Sequence, residues 1–502
     1  MRRRVRRSWG LCGLLMTGAL AGSSAFAQVT DGTKETDAGS QHSAEERPPA
    51  DQPTPVLQAV PQPAPDAAAA APAARPKVGD ISTSGYFRGS FGASNQKGRM
   101  TCFKLALPGG LFSKYRLGNE CEVWGEYNIT TVVYAGDDGS VARLHFMPTA
   151  FIPTSIIGYS PNGAINTPSM YSGATGAVLY FPNLYVDLKG ISWLGGGTAW
   201  LGTRYYKRES VYISDFFYWN PSGVGSGVED IELGRDMRLS VAVFAVDGDP
   251  GNPSTASTPP LPLQLDFGAR ADVQLRGVKL WTGSELQLGL QYILDLSKDH
   301  PVGEESVHVT ASGWGATLQY IQKFPRAIEN KLAAQYGQGG GTGFGTLARF
   351  YYPDFSVTHG PGERRYRFVD VITLEPLRWL GAQLAFVYQR DSGGNDALNA
   401  KWFSGGGRLA VGALEHLKLL GELGYDRVKK DNGTIQELRK ATGAVALTGG
   451  RGFMARPELR AFFTYALWNE AARTATVDSG GIYTPTEYLS GSIFGLQAEA
   501  LW

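Results

Sequence analysis

Past its first 27 residues, this chain of 502 has no apolar run near the ~20 residues that a membrane-spanning helix needs. That excludes a helical membrane protein. Cysteine is almost absent, with three in the whole sequence, and the six histidines show no metal-ligand spacing. With no nucleophile elbow either, nothing in the sequence supports an enzyme, a cofactor or a metal centre. Excess charge is lacking as well. The net charge is +1, but Arg2, Arg3, Arg4, Arg6 and Arg7 fall where there is no Asp or Glu, and without them 42 basic residues face 46 acidic ones, a balance of −4. Such a chain offers no basic footprint to nucleic acid. What it does have is 43% hydrophobic residues, 65 glycines and 11 tryptophans, far too much burial capacity for a disordered chain.

Residues 1–27 combine an arginine cluster, the apolar stretch Trp9–Leu20 and the small-residue end Ala25-Phe26-Ala27. This is the layout of a secretory signal peptide, with cleavage expected after Ala27. Residues 28–78 then carry nine prolines between Pro48 and Pro76, with the run Ala67–Ala71. Proline at that density forbids helix or sheet and leaves an extended, disordered periplasmic tether. In an exported chain, Cys102 and Cys121 read as one disulfide in an oxidising compartment, a free or metal-binding pair being the alternative.

From Gly79 to Trp502 one theme repeats: about ten alternating residues, then a turn rich in Gly, Pro, Asn and Asp. In Gln264–Leu275 the residues Leu265, Phe267, Ala269, Ala271, Val273 and Leu275 oppose Gln264, Asp266, Arg270, Asp272 and Gln274. Glu285–Asp295 repeats the pattern, as do 82–92, 120–134, 178–188, 198–207, 236–246, 309–320, 328–337, 365–375, 382–390, 401–413, 416–427, 438–448, 456–467 and 493–502. Period two is a strand signal. A soluble sandwich also alternates, but charged residues in mid-strand, the export signal and the terminal aromatic favour an all-β, transmembrane antiparallel barrel in the outer membrane. In lipid a sheet must close so that no edge amide is left unpaired. At ~10 residues per strand, residues 79–502 give roughly 16–18 strands and an aqueous channel, hence a porin.

Three aromatics sit on the polar face, where a plain diffusion pore has no use for them. Tyr86 shares its face with Arg88, Trp124 with Glu122 and Glu126, and Trp402 with Arg408. Rings beside charges suit a sugar, whose C–H face stacks while its hydroxyls bond to charged groups. The alternative is that each ring packs beneath a folded-in loop. The segment Glu209-Ser-Val-Tyr-Ile-Ser-Asp-Phe-Phe-Tyr-Trp-Asn220, followed by the glycine-rich Pro221–Val228, is too aromatic for a solvated loop and is expected to fold inward and narrow the pore.

These segments resemble the maltoporin family. The likeness is carried by Gly85-Tyr-Phe-Arg-Gly-Ser90, Ser113-Lys-Tyr-Arg-Leu-Gly-Asn-Glu-Cys-Glu122, Trp200-Leu-Gly-Thr-Arg-Tyr-Tyr-Lys-Arg208, Asp215-Phe-Phe-Tyr-Trp219 and Gly225–Gly234, and later by Glu422–Asp426, Arg456-Pro457 and Phe494-Gly495. It implies an 18-stranded barrel, a homotrimer, and maltodextrin or related oligosaccharide solutes sliding along a lane of aromatics. By that resemblance Tyr86, Trp124 and Trp402 are lane positions. Arg88, Arg116, Glu126, Arg208 and Asp215 form the polar track, and Cys102–Cys121 is a first-loop disulfide. The departures are Phe217 where the constriction usually has Tyr, Ser210 at an acidic track position, and Leu501 and Ala316 at lane positions. A general or differently selective porin is the competing reading.

Overall fold

The computed structural model describes residues 75–95, 100, 102–107, 112–153, 178–247, 267–295, 300–302, 305–307, 312–343, 360–393, 399–473 and 488–502. The expected signal peptide, and the tether up to residue 74, lie outside them.

Eighteen strands form one antiparallel sheet whose neighbours follow chain order. The first strand, Ile81–Ser94, pairs with Glu122–Ala135 on one side and with the last, Ser490–Leu501, on the other. The ring is therefore closed, and no strand edge is left to lipid. Among the described residues no helix is long and apolar enough to cross a membrane, so the strands do the crossing.

Alternation decides which way each side chain faces. In the Phe267–Val278 strand, Arg270, Asp272 and Gln274 have no exposure, while Val273 between them is 40% exposed. In the paired Ser284–Asp295 strand, Leu288, Leu290 and Tyr292 are exposed outward, and Gln287 and Gln291 are buried. Apolar residues outside and charged residues inside is the inverse of a soluble protein, and it is what a lipid-facing band requires.

The two ends differ. One carries short turns such as Arg235-Asp236, where both residues take positive φ (51° and 68°), the two-residue turn that matches the strand twist. Trp193, Trp281, Trp379 and Trp502 are exposed at this end, as in an interfacial aromatic girdle. The other end carries the long connections, residues 95–121, 154–177, 205–222 and 340–363. Short turns mark the periplasmic side of such barrels and long loops the outside.

Two strands depart from the expectation. Gly223–Gly234 pairs with Thr198–Arg204 and Met237–Asp247, although its first half read as loop. Its glycines are needed for the close approach: a Cβ on Gly225 or Gly227 would come within 2.3 or 2.5 Å of the carbonyls of Val243 and Val241. Val141–Pro153 gave no alternation signal because Pro148 and a register shift between Met147 and Thr149 interrupt it. Its inward residues also include the bulky His145, Met147 and Phe151 beside Thr149.

Candidate functional site

Two of the outer connections turn inward. The first runs from Ser94 to Glu122 and contains the Cys102–Cys121 disulfide, with Cα atoms 5.8 Å apart. Within the loop that it closes, residues 113–120 lie buried against the inner wall. Asn119 fixes this segment on itself, accepting from Phe103 N–H at 2.8 Å and donating to the Tyr115 carbonyl at 3.0 Å. Tyr115 lies on a bare patch of wall, where a Cβ on Gly424 or Gly406 would come within 2.0 or 2.5 Å of its ring. Its hydroxyl is 3.2 Å from Ser404 Oγ. The Leu117 and Gly118 amides donate to Glu422 (2.9 Å) and Gln497 (3.1 Å), and Lys440 Nζ donates to the Leu117 carbonyl at 3.0 Å.

The second, residues 205–222, forms a small hairpin in which Glu209–Val211 pairs with Phe216–Trp219 across the turn Tyr212–Ser214. Asp215 ends the turn at φ 54°, a left-handed conformation that Asp tolerates better than most residues. All four residues of Phe216–Trp219 are buried, so this segment folds inward as its aromatic content requires. Glu209 ties its base to Arg276 and Lys331, each at 3.1 Å. Burial alone would raise the Glu209 carboxyl, but Lys331 and Arg276 overcome that and hold it below the usual range. At the tip, Tyr212 Oη donates to Glu499 at 2.8 Å and Ile213 N–H to Gln383 at 3.1 Å.

The two loops meet at a buried charge network. Arg116 N–H donates to the Ile213 carbonyl at 3.0 Å. Arg88 bonds to Asp215 of the hairpin and to Glu122 of the wall, each at 2.7 Å, and lies 3.5 Å from Glu120. Arg116 adds Glu120 at 2.6 Å and Glu499 at 3.3 Å, and Lys114 reaches Glu120 at 3.1 Å. Burial pushes the Glu120 carboxyl up, yet Arg88, Lys114 and Arg116 together outweigh it and hold the group well below its ordinary value. A charge buried this deeply is tolerated only with such partners.

All three lane candidates face inward, and each is covered. Tyr86 Oη donates to Glu499 at 3.0 Å and accepts from Arg116. Trp124 has no exposure, meets Phe151 edge-on at 5.9 Å, and has the Arg88 guanidinium 5.8 Å from its ring centre. Trp402 stands at 89° to Phe216 of the hairpin, 5.1 Å away, and donates to Asp426 at 3.4 Å. Tyr86 and Trp124 belong to one cluster with Phe151 and Leu501, whereas Trp402 belongs to another.

The polar-track candidates gather beside the first cluster. Trp124, Tyr205, Arg208 and Arg88 group around the Glu126 carboxylate. Arg208 stacks on Tyr205 at 3.3 Å and covers the Phe217 ring at 4.7 Å, which fixes Phe217 beneath a cation. Ser210 lies in the hairpin, and Leu501 is paired in register with Tyr86. Ala316 does not match a lane position: it sits on the outer face with Trp314 and Leu318, while Gly315 and Thr317 point inward. Shifting a strand position by one residue moves a side chain through the wall.

The sequence reading missed a second inner surface, on the strands from Val141–Pro153 to Gly223–Gly234. There His145 stacks on Tyr185 at 4.2 Å, bonds to Asp187 at 3.0 Å and lies 3.0 Å from Thr130 Oγ1. Arg143 pairs with Asp187 at 2.7 Å and is still 37% exposed, and Arg204 sits over Tyr185 at 4.6 Å while pairing with Glu229 at 2.9 Å. The signal was available, since Tyr185 shares its face with Asn183 and Asp187. Among the described residues no group of three or more His, Cys, Asp or Glu side chains could hold a metal ion.

A family profile described as LamB porin matches residues 81–502. Among solved structures, the chain is similar to a BenF-like porin from Pseudomonas fluorescens Pf-5, with 8% identity, 85% of this chain and 99% of that one covered, and a TM-score of 0.45. OccAB2 of Acinetobacter baumannii matches at 9% identity over 84% of this chain and 98% of its own, TM-score 0.45. OccAB1 of the same organism matches at 11% over 85% and 97%, TM-score 0.44.

Proposed function

This chain belongs to the LamB porin family and is an outer-membrane barrel channel, and from that premise we propose that it passes maltodextrins or related oligosaccharides by facilitated diffusion, as a homotrimer. The observation that carries this reading is the grouping of Trp124 and Phe151 with Glu126, Arg88, Arg208 and Tyr205. A glucosyl unit has an apolar C–H face for a ring and a rim of hydroxyls for charged donors and acceptors, and this wall offers both within one site. In this reading Tyr86 and Trp402 extend the lane, and Arg116 and Asp215 complete the track. Phe151, Tyr185 and Tyr205, which are partly exposed, are the rings a solute meets first. Phe217 narrows the path without adding a hydroxyl.

A less selective porin is favoured by one observation: Leu501 stands beside Tyr86 where a further ring would continue the lane. Current block in planar bilayers by maltohexaose, by sucrose and by an uncharged non-sugar of similar size separates the two. The proposal expects block by maltohexaose well above the others; equal block by all three would leave only a general pore. Cross-linking in native membranes tests the trimer, and N-terminal sequencing of the mature chain tests cleavage after Ala27.

A further inference from the structure

The outer wall formed by Leu380–Ser392, Ala400–Leu414, Leu417–Lys430, Ile435–Thr448 and Glu458–Trp468 has an amphiphilic order from its long-loop end downward. In the top row Arg390, Lys401 and Lys429 are direct cross-strand partners on the outward face. Like charges placed opposite one another in a ladder destabilise it. Asp431 pairs with Arg390 at 2.6 Å and is the one acid that Lys401 and Lys429 also feel among the described residues, so three cations share a single carboxylate. The next row is Tyr388, Phe403, Arg427 and Glu437, and below it come Gly405, Tyr425 and Arg439. Arg427 and Arg439 share the single acid Glu437, at 3.5 and 3.6 Å, and remain 43% and 65% exposed.

Beneath the cations the wall is indented. A groove of about 430 Å³, mostly apolar, is lined by Gly405, Leu423, Tyr425, Ala441, Tyr465 and Leu467. Its floor exists because Gly405 and Ala441 are small. A Cβ on Gly405 would meet only the Phe403 ring, at 3.5 Å and closer than any other atom, so nothing inside the barrel demands the glycine. Its neighbours Gly406 and Gly424 open inward instead, and their gaps are filled by Tyr115.

We propose that this wall docks one phosphorylated saccharolipid of the outer leaflet, with its phosphates on Lys401, Lys429, Arg427 and Arg439 and one acyl chain in the groove. The placement fits the medium. The cation-rich row lies at the end of the barrel that faces outward, where the lipid headgroups are, and the groove lies four to six strand residues below Lys401 and Lys429, where the chains run. Charge-assisted bonds to phosphate offset the repulsion within the row, and the small floor residues admit a chain that a smooth wall excludes.

The test uses the full mature protein, purified free of lipopolysaccharide in detergent and titrated by native mass spectrometry. The probes are hexa-acylated lipid A bisphosphate, the same lipid without phosphates, and phosphatidylglycerol. The expected result is one bisphosphorylated lipid per chain, bound at least about tenfold more tightly than either of the other two. The combined variant Lys401→Gln, Lys429→Gln and Arg439→Gln should erase that preference. Gly405→Leu, which fills the groove, should weaken both lipid A forms while keeping the preference for phosphate. Equal binding of the dephosphorylated lipid would reduce the site to partitioning of chains and overturn the proposal. Equal binding of phosphatidylglycerol would overturn it in favour of a general anionic-lipid surface. The comparison of three lipids on the unaltered protein needs no variant to fold.

Discussion

The inner wall has a covered side and a bare side. On the covered side, from the Glu122–Ala135 strand through Ser490–Leu501 and round to Phe267–Val278, two inward loops lie against the barrel, and charges are spent on holding them. Glu120 alone serves Arg88, Lys114 and Arg116, and Glu499 serves Arg116, Arg456 and Tyr212. On the bare side, Arg143, Tyr185 and Arg204 form smaller sets and keep part of their surface open. The difference teaches that inward charge in this pore does two jobs. Under the loops it fixes the shape of the passage, and on the bare wall it is available to whatever passes.

Removing one member of the covered network should have the largest effect. Arg88→Ala leaves Asp215, Glu122 and Glu120 buried against one another without their shared cation, a loss of about 3–5 kcal/mol. Urea titration followed by the heat-dependent shift in gel migration measures it. A change under about 1 kcal/mol would mean that the two sides do not differ. Replacing both cysteines, Cys102→Ser with Cys121→Ser, frees a short loop and should cost about 2–4 kcal/mol, with noisier single-channel current as the first loop loosens. Quiet current at unchanged stability would show that Tyr115 and the wall hold the loop alone.

Acid should act on the same contacts. Glu120 and Glu209 are held below the ordinary carboxylate range, so their contribution is present above that range and is lost as pH falls through their depressed values. Conductance should therefore be steady from neutral pH down to about pH 4.5, and loop noise should appear only below it. Noise already rising between pH 7 and pH 5 would contradict this. The smallest effect belongs to the bare side. Arg143→Ala breaks a partly exposed pair with Asp187 and should change stability by no more than about 1 kcal/mol, while shifting the reversal potential in a salt gradient toward cations. An unmoved reversal potential would show that this wall does not face the ion path.

The barrel was legible where alternation is clean, as in Gln264–Leu275, because lipid outside and water or loop inside impose opposite chemistries on adjacent residues. It was illegible in Val141–Pro153, where Pro148 and inward bulky groups break the period, and in Gly223–Gly234, whose glycines look like loop until the neighbouring carbonyls are seen. The inward aromatics Tyr86, Trp124 and Trp402 were visible as rings on the wrong face. That Tyr86 meets Arg116 of the first loop and Trp402 meets Phe216 of the hairpin was not, because those loop residues lie 30 and 186 residues away in the chain and nothing local links them. Ala316 shows the same limit at one-residue scale, since only register tells inside from outside.

The most direct test of the proposed solute path is the binding constant for maltohexaose block of the purified channel, measured in planar bilayers before and after Trp124→Ala. Trp124 backs the partly exposed Phe151 edge-on at 5.9 Å, so its loss should unseat the ring a glucosyl unit meets and lower the constant about tenfold, with ion conductance nearly unchanged. A binding constant that stays the same would place the sugar elsewhere, and Trp124 would then be a packing residue of the wall beside Phe151 and Arg88.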